Sequence, residues 1–222
     1  MRLSNRDWHS SIPLHHISYK PTRNLIIFLI AILYLPVSYP SVSTGNVWAI
    51  TNNPNPNPSS LQEYKNDTYA VSVQYPANWE VRPGENNSGT DSTIDIATLS
   101  PRESNSSASF DLLVDSVDSG LNLKQYVLDS ITANKVDLKD YKVLETEVGN
   151  ITIAGLPGYS LLYTFSDSGE IMKGLETGMI KGNKVYFVQY ENSQSQYYKD
   201  LTTAHKMISS LKVGTPITVI RR

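Results

Sequence analysis

No cysteine occurs anywhere in the 222 residues. That excludes disulfides, thiolate zinc sites, iron–sulfur clusters and thiol catalysis. An excess of one charge is also missing: 19 Lys and Arg stand against 21 Asp and Glu, a formal net charge of −2. Proteins that grip nucleic acid carry a basic field, and this chain has none. Phenylalanine is scarce, with four residues, whereas tyrosine numbers 14. The phosphate-loop, dinucleotide-binding and zinc-hydrolase patterns are absent, as is a Gly-x-Ser-x-Gly elbow. The length and a 40% hydrophobic content suit one folded domain with appendages.

The N-terminus reads as an address. Leu25–Val37 (LIIFLIAILYLPV) is thirteen residues without a charge, preceded by Arg2, Arg6, Lys20 and Arg23 against a single acid, Asp7. A basic flank before a short apolar run is the pattern of a secretory signal. A bilayer-spanning helix usually needs ~20 apolar residues. Residues 1–49 are therefore expected to be a signal peptide or an uncleaved signal-anchor. Either places the remainder outside the cytoplasm, secreted or held on the outer face of the membrane by residues 25–37. Four of the 19 basic and one of the 21 acidic residues precede position 50, which leaves 15 against 20 and a net charge of −5. Such an acidic domain is a poor ligand for nucleic acid.

Residues 50–60, with Pro54, Pro56 and Pro58 among Asn and Ser, read as a semi-extended linker. A domain over residues 61–213 and a tail at 214–222 follow. Period-two alternation marks strands at Tyr69–Tyr75, around Ile94 and Ile96, at Phe110–Val114 and at Tyr159–Phe165; two more strands, Met172–Ile180 and Lys184–Tyr190, flank a turn. Pro83–Asp91 reads as a loop, and Lys181-Gly182-Asn183 as a hairpin turn. Helical spacing appears at Leu123, Tyr126, Val127, Ile131 and Asn134, capped by Asn122, and again at Tyr197, Leu201, Ala204, Ile208 and Leu211. Ser193 with Gln196 predicts a capping box for the second helix, and Gly214 lies just past its end. The expected class is α+β: a central antiparallel sheet flanked by helices, an α/β/α sandwich.

Tyr69–Trp79 (YAVSVQYPANW) resembles the opening strand of the PsbP family, an alternating run followed by Tyr-Pro and then Trp. Gly155, Tyr159 and Tyr163 resemble its middle strand. Gly182, Val185 and Tyr186 resemble the penultimate strand, and Ile208–Leu211 the end of the closing helix. The order holds across Leu61–Val213, about two-thirds of the chain. The resemblance implies a PsbP-like sandwich. The best-known members are extrinsic lumenal subunits of photosystem II that retain calcium and chloride; fold-mates include exported lipoproteins and a nuclear-transport factor, so the fold alone does not assign a function. The Pro/Asn linker stands where plant members carry a longer N-terminal arm. The resemblance therefore implies a non-photosynthetic, exported member, with no metal-site residue carried over from the family.

Asp111, Asp115 and Asp118 form the densest acidic group, with Asp111 and Asp115 on the strand face opposite Phe110 and Val114. Carboxylate oxygens suit calcium, although the spacing is not that of an EF-hand, and a solvated strand face is the competing account. Asp91 with Asp95 is a weaker pair. Tyr186, Tyr190, Tyr197 and Tyr198 cluster near the last hairpin and helix, either as a partner-binding surface or as packing. Asn-x-Ser/Thr sequons occur at Asn66, Asn86, Asn105 and Asn150, Asn86 being the best glycosylation acceptor. His205, the one histidine after residue 49, has no visible triad. The leading expectation is a non-enzymatic accessory protein that docks on or stabilises a membrane protein complex. The sequence identifies no cofactor; the acids suit calcium or another hard cation. The alternatives are an exported small-ligand binder, recognisable by a pocket between sheet and helix, and a metal-assisted hydrolase using Asp111 or Asp115.

Overall fold

The computed structural model describes residues 60–84, 93–103 and 105–214. The expected export segment, residues 50–59 of the linker, Asn86, Asp91 and residues 215–222 of the tail lie outside the described residues.

Ten strands and two helices follow in the order β1 (Leu61–Asn66), β2 (Val71–Pro76), β3 (Trp79–Pro83), β4 (Thr93–Pro101), β5 (Ser109–Ser116), α1 (Leu123–Asp137), β6 (Lys139–Ile153), β7 (Leu156–Asp167), β8 (Glu170–Lys181), β9 (Lys184–Ser193), α2 (Tyr197–Ser210) and β10 (Lys212–Val213). Seven strands form an antiparallel sheet in the order β3-β4-β5-β9-β8-β7-β6, and three form a smaller sheet in the order β1-β2-β10. The α+β expectation holds in this form: mostly antiparallel sheet with two helices. Part of the cover that the reading assigned to helices is supplied by the small sheet.

β9 shows how the two sides of the large sheet divide. Tyr186, Val188 and Tyr190 join a core with Val71 and Val73 of β2 and with Tyr197, Ala204 and Met207 of α2. The alternate residues Val185 and Phe187 join a second core with Tyr126 and Val127 of α1 and with Tyr159, Leu161, Tyr163 and Phe165 of β7. Period-two alternation within one strand thus feeds two cores on opposite faces. α1 and α2 lie on different sides.

The helix ends differ in how well local chemistry marks them. Asn122 sits in extended geometry and its side chain accepts from Gln125 N, as expected of an N-cap. The predicted box at α2 does not form. Gln196 is the cap, in helical geometry and without a side-chain bond, while Ser193 is buried at the end of β9 and its Oγ lies 3.1 Å from Ser195 Oγ. α2 stops because Lys212 and Val213 pair with β2, and Gly214 N donates to Ala70 O; Gly214 closes a strand contact and is no helix cap.

Candidate functional site

The α1 side of the large sheet carries polar groups where a core would be expected. Asp115, Asn134, Glu176 and Gln189 are all buried. Buried polar groups persist when hydrogen-bonded, and this set is. Tyr126 Oη of α1 donates to Asp115 Oδ2 at 2.6 Å. Tyr159 Oη of β7 donates to Glu176 Oε1 at 2.7 Å, and Gln189 Nε2 donates to Glu176 Oε2 at 2.6 Å. Tyr163 Oη donates to Glu191 Oε1 at 2.5 Å. Three tyrosine–carboxylate bonds therefore stand on one face. Burial raises the Tyr159 hydroxyl well above its ordinary value, and the neighbouring Glu176 charge adds to this; Tyr159 therefore stays a donor at neutral pH.

Two glycines place these rings. Tyr163 pairs across the sheet with Gly174, and Tyr159 with Gly178. A Cβ on Gly178 would lie 2.6 Å from Phe187 Cβ and 2.7 Å from the Tyr186 carbonyl oxygen. A Cβ on Gly174 would lie 2.6 Å from Tyr163 Cε2. Bare backbone on β8 lets each β7 ring lie across it, with Glu176 between the two glycines in the run Gly174-Leu175-Glu176-Thr177-Gly178. Glu176 was missed in the sequence. An acid on the strand face it shares with Met172, Gly174, Gly178 and Ile180, bracketed by glycines two residues either way, was the available signal.

Between α1 and this face lies a cleft of about 490 Å³. Asp115, Glu176 and Gln189 form its sheet wall, Tyr126 and Phe187 are its aromatic surfaces, and Asp118 and Asp129 add further carboxylates. No Lys, Arg or His is among the described residues that line it. The volume falls within the ~300–1,000 Å³ of small-molecule sites.

The predicted acidic trio does not assemble. Asp115 is buried, at 4% exposure. Asp111 shares the face of Asp115 but is not among the residues that line the cleft; its carboxylate accepts from Thr98 Oγ1 at 2.7 Å and from Ser109 Oγ at 3.0 Å. It sits four residues along the strand from Asp115, about 13 Å at ~3.3 Å per residue. Asp118 is exposed. Among the described residues, no group of three or more His, Asp or Glu is gathered to hold a metal ion. A strand shows that two acids share a face, but neighbours across the sheet decide whether they meet.

The predicted tyrosine surface is corrected in the same way. Tyr186, Tyr190 and Tyr197 are core residues, and Tyr190 Oη donates to Tyr197 O at 2.7 Å. Tyr198 is the exposed member, at 70%. Lys173 Nζ donates to its hydroxyl at 3.0 Å. His205 is exposed on α2, on the sheet side away from the cleft. Among the described residues, no helix is long and apolar enough to cross a membrane.

The sequence model of the family described as PsbP-like protein matches residues 46–213. Among solved structures, cyanobacterial PsbP (CyanoP) from Synechocystis sp. PCC 6803 aligns with a TM-score of 0.54 and 14% identity, over 77% of this chain and 98% of that one. LpqN of Mycobacterium tuberculosis, described as involved in cell envelope biogenesis, gives 0.48 and 12%, over 70% of this chain and 92% of that one. The Ran-binding protein Mog1p of Saccharomyces cerevisiae gives 0.44 and 6%, over 69% and 95%. No curated protein matches the chain. Likeness to structures at such identities is likeness of fold, which hosts many functions. The family match spans well over half the chain and includes the strands that build the tyrosine–carboxylate face: this chain belongs to the PsbP-like protein family.

Proposed function

We propose that this chain is a binding protein, not an enzyme, that works outside the cytoplasm and takes a small ligand in the cleft between α1 and the large sheet. One observation carries the reading: a cleft of about 490 Å³ with aromatic walls and buried, hydrogen-bonded polar groups at its base. Small-molecule sites combine an apolar enclosure with a few fixed polar groups in this way. Fixed tyrosine–carboxylate pairs orient a ligand without reorganising. Export rests on the basic flank and the apolar run Leu25–Val37.

The test is a charge-diverse fragment screen on the full-length chain in mild non-ionic detergent, read at the Tyr126 and Phe187 ring protons by NMR. Fragments should perturb these rings in the wild type and lose that effect in Ala133→Trp, which fills the cleft. If no fragment of any charge reaches the rings, the cleft is not a ligand site. Intact mass and membrane partition in the native host test the location: a full-length cytosolic species overturns export.

A second reading is docking on a membrane protein complex. A specific patch favours it: Ile171 is 52% and Tyr198 70% exposed, with Lys173 between them. Exposed aromatic and apolar side chains beside a cation have the composition of an interface hot spot. Cross-linking in the native membrane, lost on Tyr198→Ala with Ile171→Ser, tests it; unchanged cross-links reject the patch.

A further inference from the structure

Given that the cleft is a ligand site, its lining also selects the ligand's charge. We propose that it takes a small organic cation, an alkylammonium or guanidinium compound, clasped between the Asp115 and Glu176 carboxylates and the Tyr126 and Phe187 rings.

Four independent features converge. First, Asp115, Asp118, Asp129 and Glu176 line the cleft, and none of the described lining residues is basic. Clefts lined by one sign of charge concentrate the potential and gather the opposite ion. Second, two of these acids are not a solvated fringe: Asp115 is 4% and Glu176 1% exposed. Each is positioned by a tyrosine hydroxyl from a different element, Tyr126 of α1 and Tyr159 of β7. They lie on β5 and β8, with β9 between, so they act from two sides of the floor. Third, the ring centroids of Tyr126 and Phe187 are 6.4 Å apart and tilted by 59°, which gives π surfaces beside the carboxylates. Aromatic faces attract ammonium and guanidinium groups, more strongly when water is excluded. Fourth, about 490 Å³ is far more than a bare ion fills, and no group of three or more acids or histidines is gathered for a metal among the described residues. Val117, Leu121 and Ala133 supply apolar wall for a carbon skeleton.

The experiment uses the full-length chain in non-ionic detergent and four probes: pentane-1,5-diamine, the neutral isostere pentane-1,5-diol, glutarate and calcium chloride. Binding is followed by calorimetry, and by NOEs from probe methylenes to the Tyr126 and Phe187 rings. The diamine should bind one to one with ring NOEs, and the diol and glutarate should not. Glu176→Gln and Asp115→Asn should each weaken the diamine by roughly tenfold to a hundredfold, the loss of one charge-assisted contact. Glu170→Gln, an exposed acid outside the cleft, should leave it unchanged. If a variant fails to fold, the wild-type NOEs decide: a bound diamine without ring NOEs overturns the assignment. Equal binding of the diol, or tighter binding of glutarate at the same rings, overturns the cation inference while leaving the ligand site standing. Displacement of the diamine by calcium at equal concentration means an inorganic ion and overturns it too. Diamine binding equally sensitive to Glu170→Gln is surface attraction and does the same. If the diamine fails while other fragments still reach the rings, the selectivity alone falls; if nothing reaches them, the ligand site falls with it.

Discussion

Tyr159 Oη, raised on β7, donates across the bare backbone of Gly178 to Glu176 Oε1 at 2.7 Å. The bond joins a fully buried ring to a carboxylate that is 1% exposed. Its energy is dominated by the cost of leaving the charge unsatisfied, since an orphaned buried acceptor forfeits the hydration it gave up on folding.

Tyr159→Phe removes this donor, while Gln189 Nε2 still donates to Glu176 Oε2. The expected loss is about 1–3 kcal/mol of unfolding free energy, read from urea denaturation. In Glu176→Gln the same tyrosine change should cost less, because the buried charge is gone. Equal losses in both backgrounds would show that the two side chains are not coupled.

Gly178→Ala meets the Phe187 Cβ and the Tyr186 carbonyl, both backbone-proximal atoms of the adjacent strand. A flexible side-chain tip would yield, but these cannot. Overpacking of this kind costs about 1–3 kcal/mol, and the Tyr159 ring should lose its place over β8. Thermal denaturation with the tyrosine near-UV signal checks both; an unchanged midpoint would mean that β7 and β8 separate freely.

Alkaline pH should unfold the domain through its tyrosines. Burial raises Tyr159 well above the usual value, and burial pushes Tyr190 up to about 12. For an acid with a raised folded pKa, the stability is full below the unfolded value of ~10 and is lost as pH rises toward the folded one. The urea midpoint should be flat with respect to these groups from about pH 7 to 9 and fall above pH ~10. Tyr159→Phe should make that fall shallower. A midpoint that ignores pH across this window would contradict the burial of these hydroxyls.

Tyr197→Ala and Tyr198→Ala, neighbours in sequence, should differ sharply. Tyr197 is buried, its ring centroid 5.3 Å from that of Tyr190 and tilted by 42°, and its loss opens a core cavity. The cost should be about 3–5 kcal/mol, as for a large aromatic. Tyr198 is exposed, and its loss should stay within roughly 0.5 kcal/mol. Paired chemical denaturation curves measure both; similar losses would refute the assignment of one to core and one to surface.

The interior strands were legible from local patterns. β2, β4, β5, β7, β8 and β9 each have strands on both sides; alternation located β2, β4, β5 and β7, and the hairpin turn at Gly182 located β8 and β9, which are buried on both faces in their central residues. The strands not expected, β1, β3, β6 and β10, are the four sheet edges. Edges are shielded by polar and charged side chains and interrupted by bulges, which erases the pattern. β6 shows both: Lys139, Lys142, Glu145 and Glu147 lie along it, and its pairing with β7 shifts register three times.

Residue order alone determined where α1 and α2 lie, the Asn122 cap, a hairpin turn at Lys181-Gly182-Asn183, the interior strands and, through their order, the family resemblance; pairing of Lys181 with Lys184 tightens that turn to Gly182-Asn183. These follow from local periodicity and turn chemistry, which act over a few residues. Which acids meet which hydroxyls was decided only in three dimensions. Asp111 and Asp115 share a face, yet one binds Thr98 and Ser109 and the other receives Tyr126 from a helix. Glu176 finds Tyr159 from β7 and Gln189 from β9. Strand pairing and helix docking bring together groups distant in the chain, and no short-range pattern encodes that meeting.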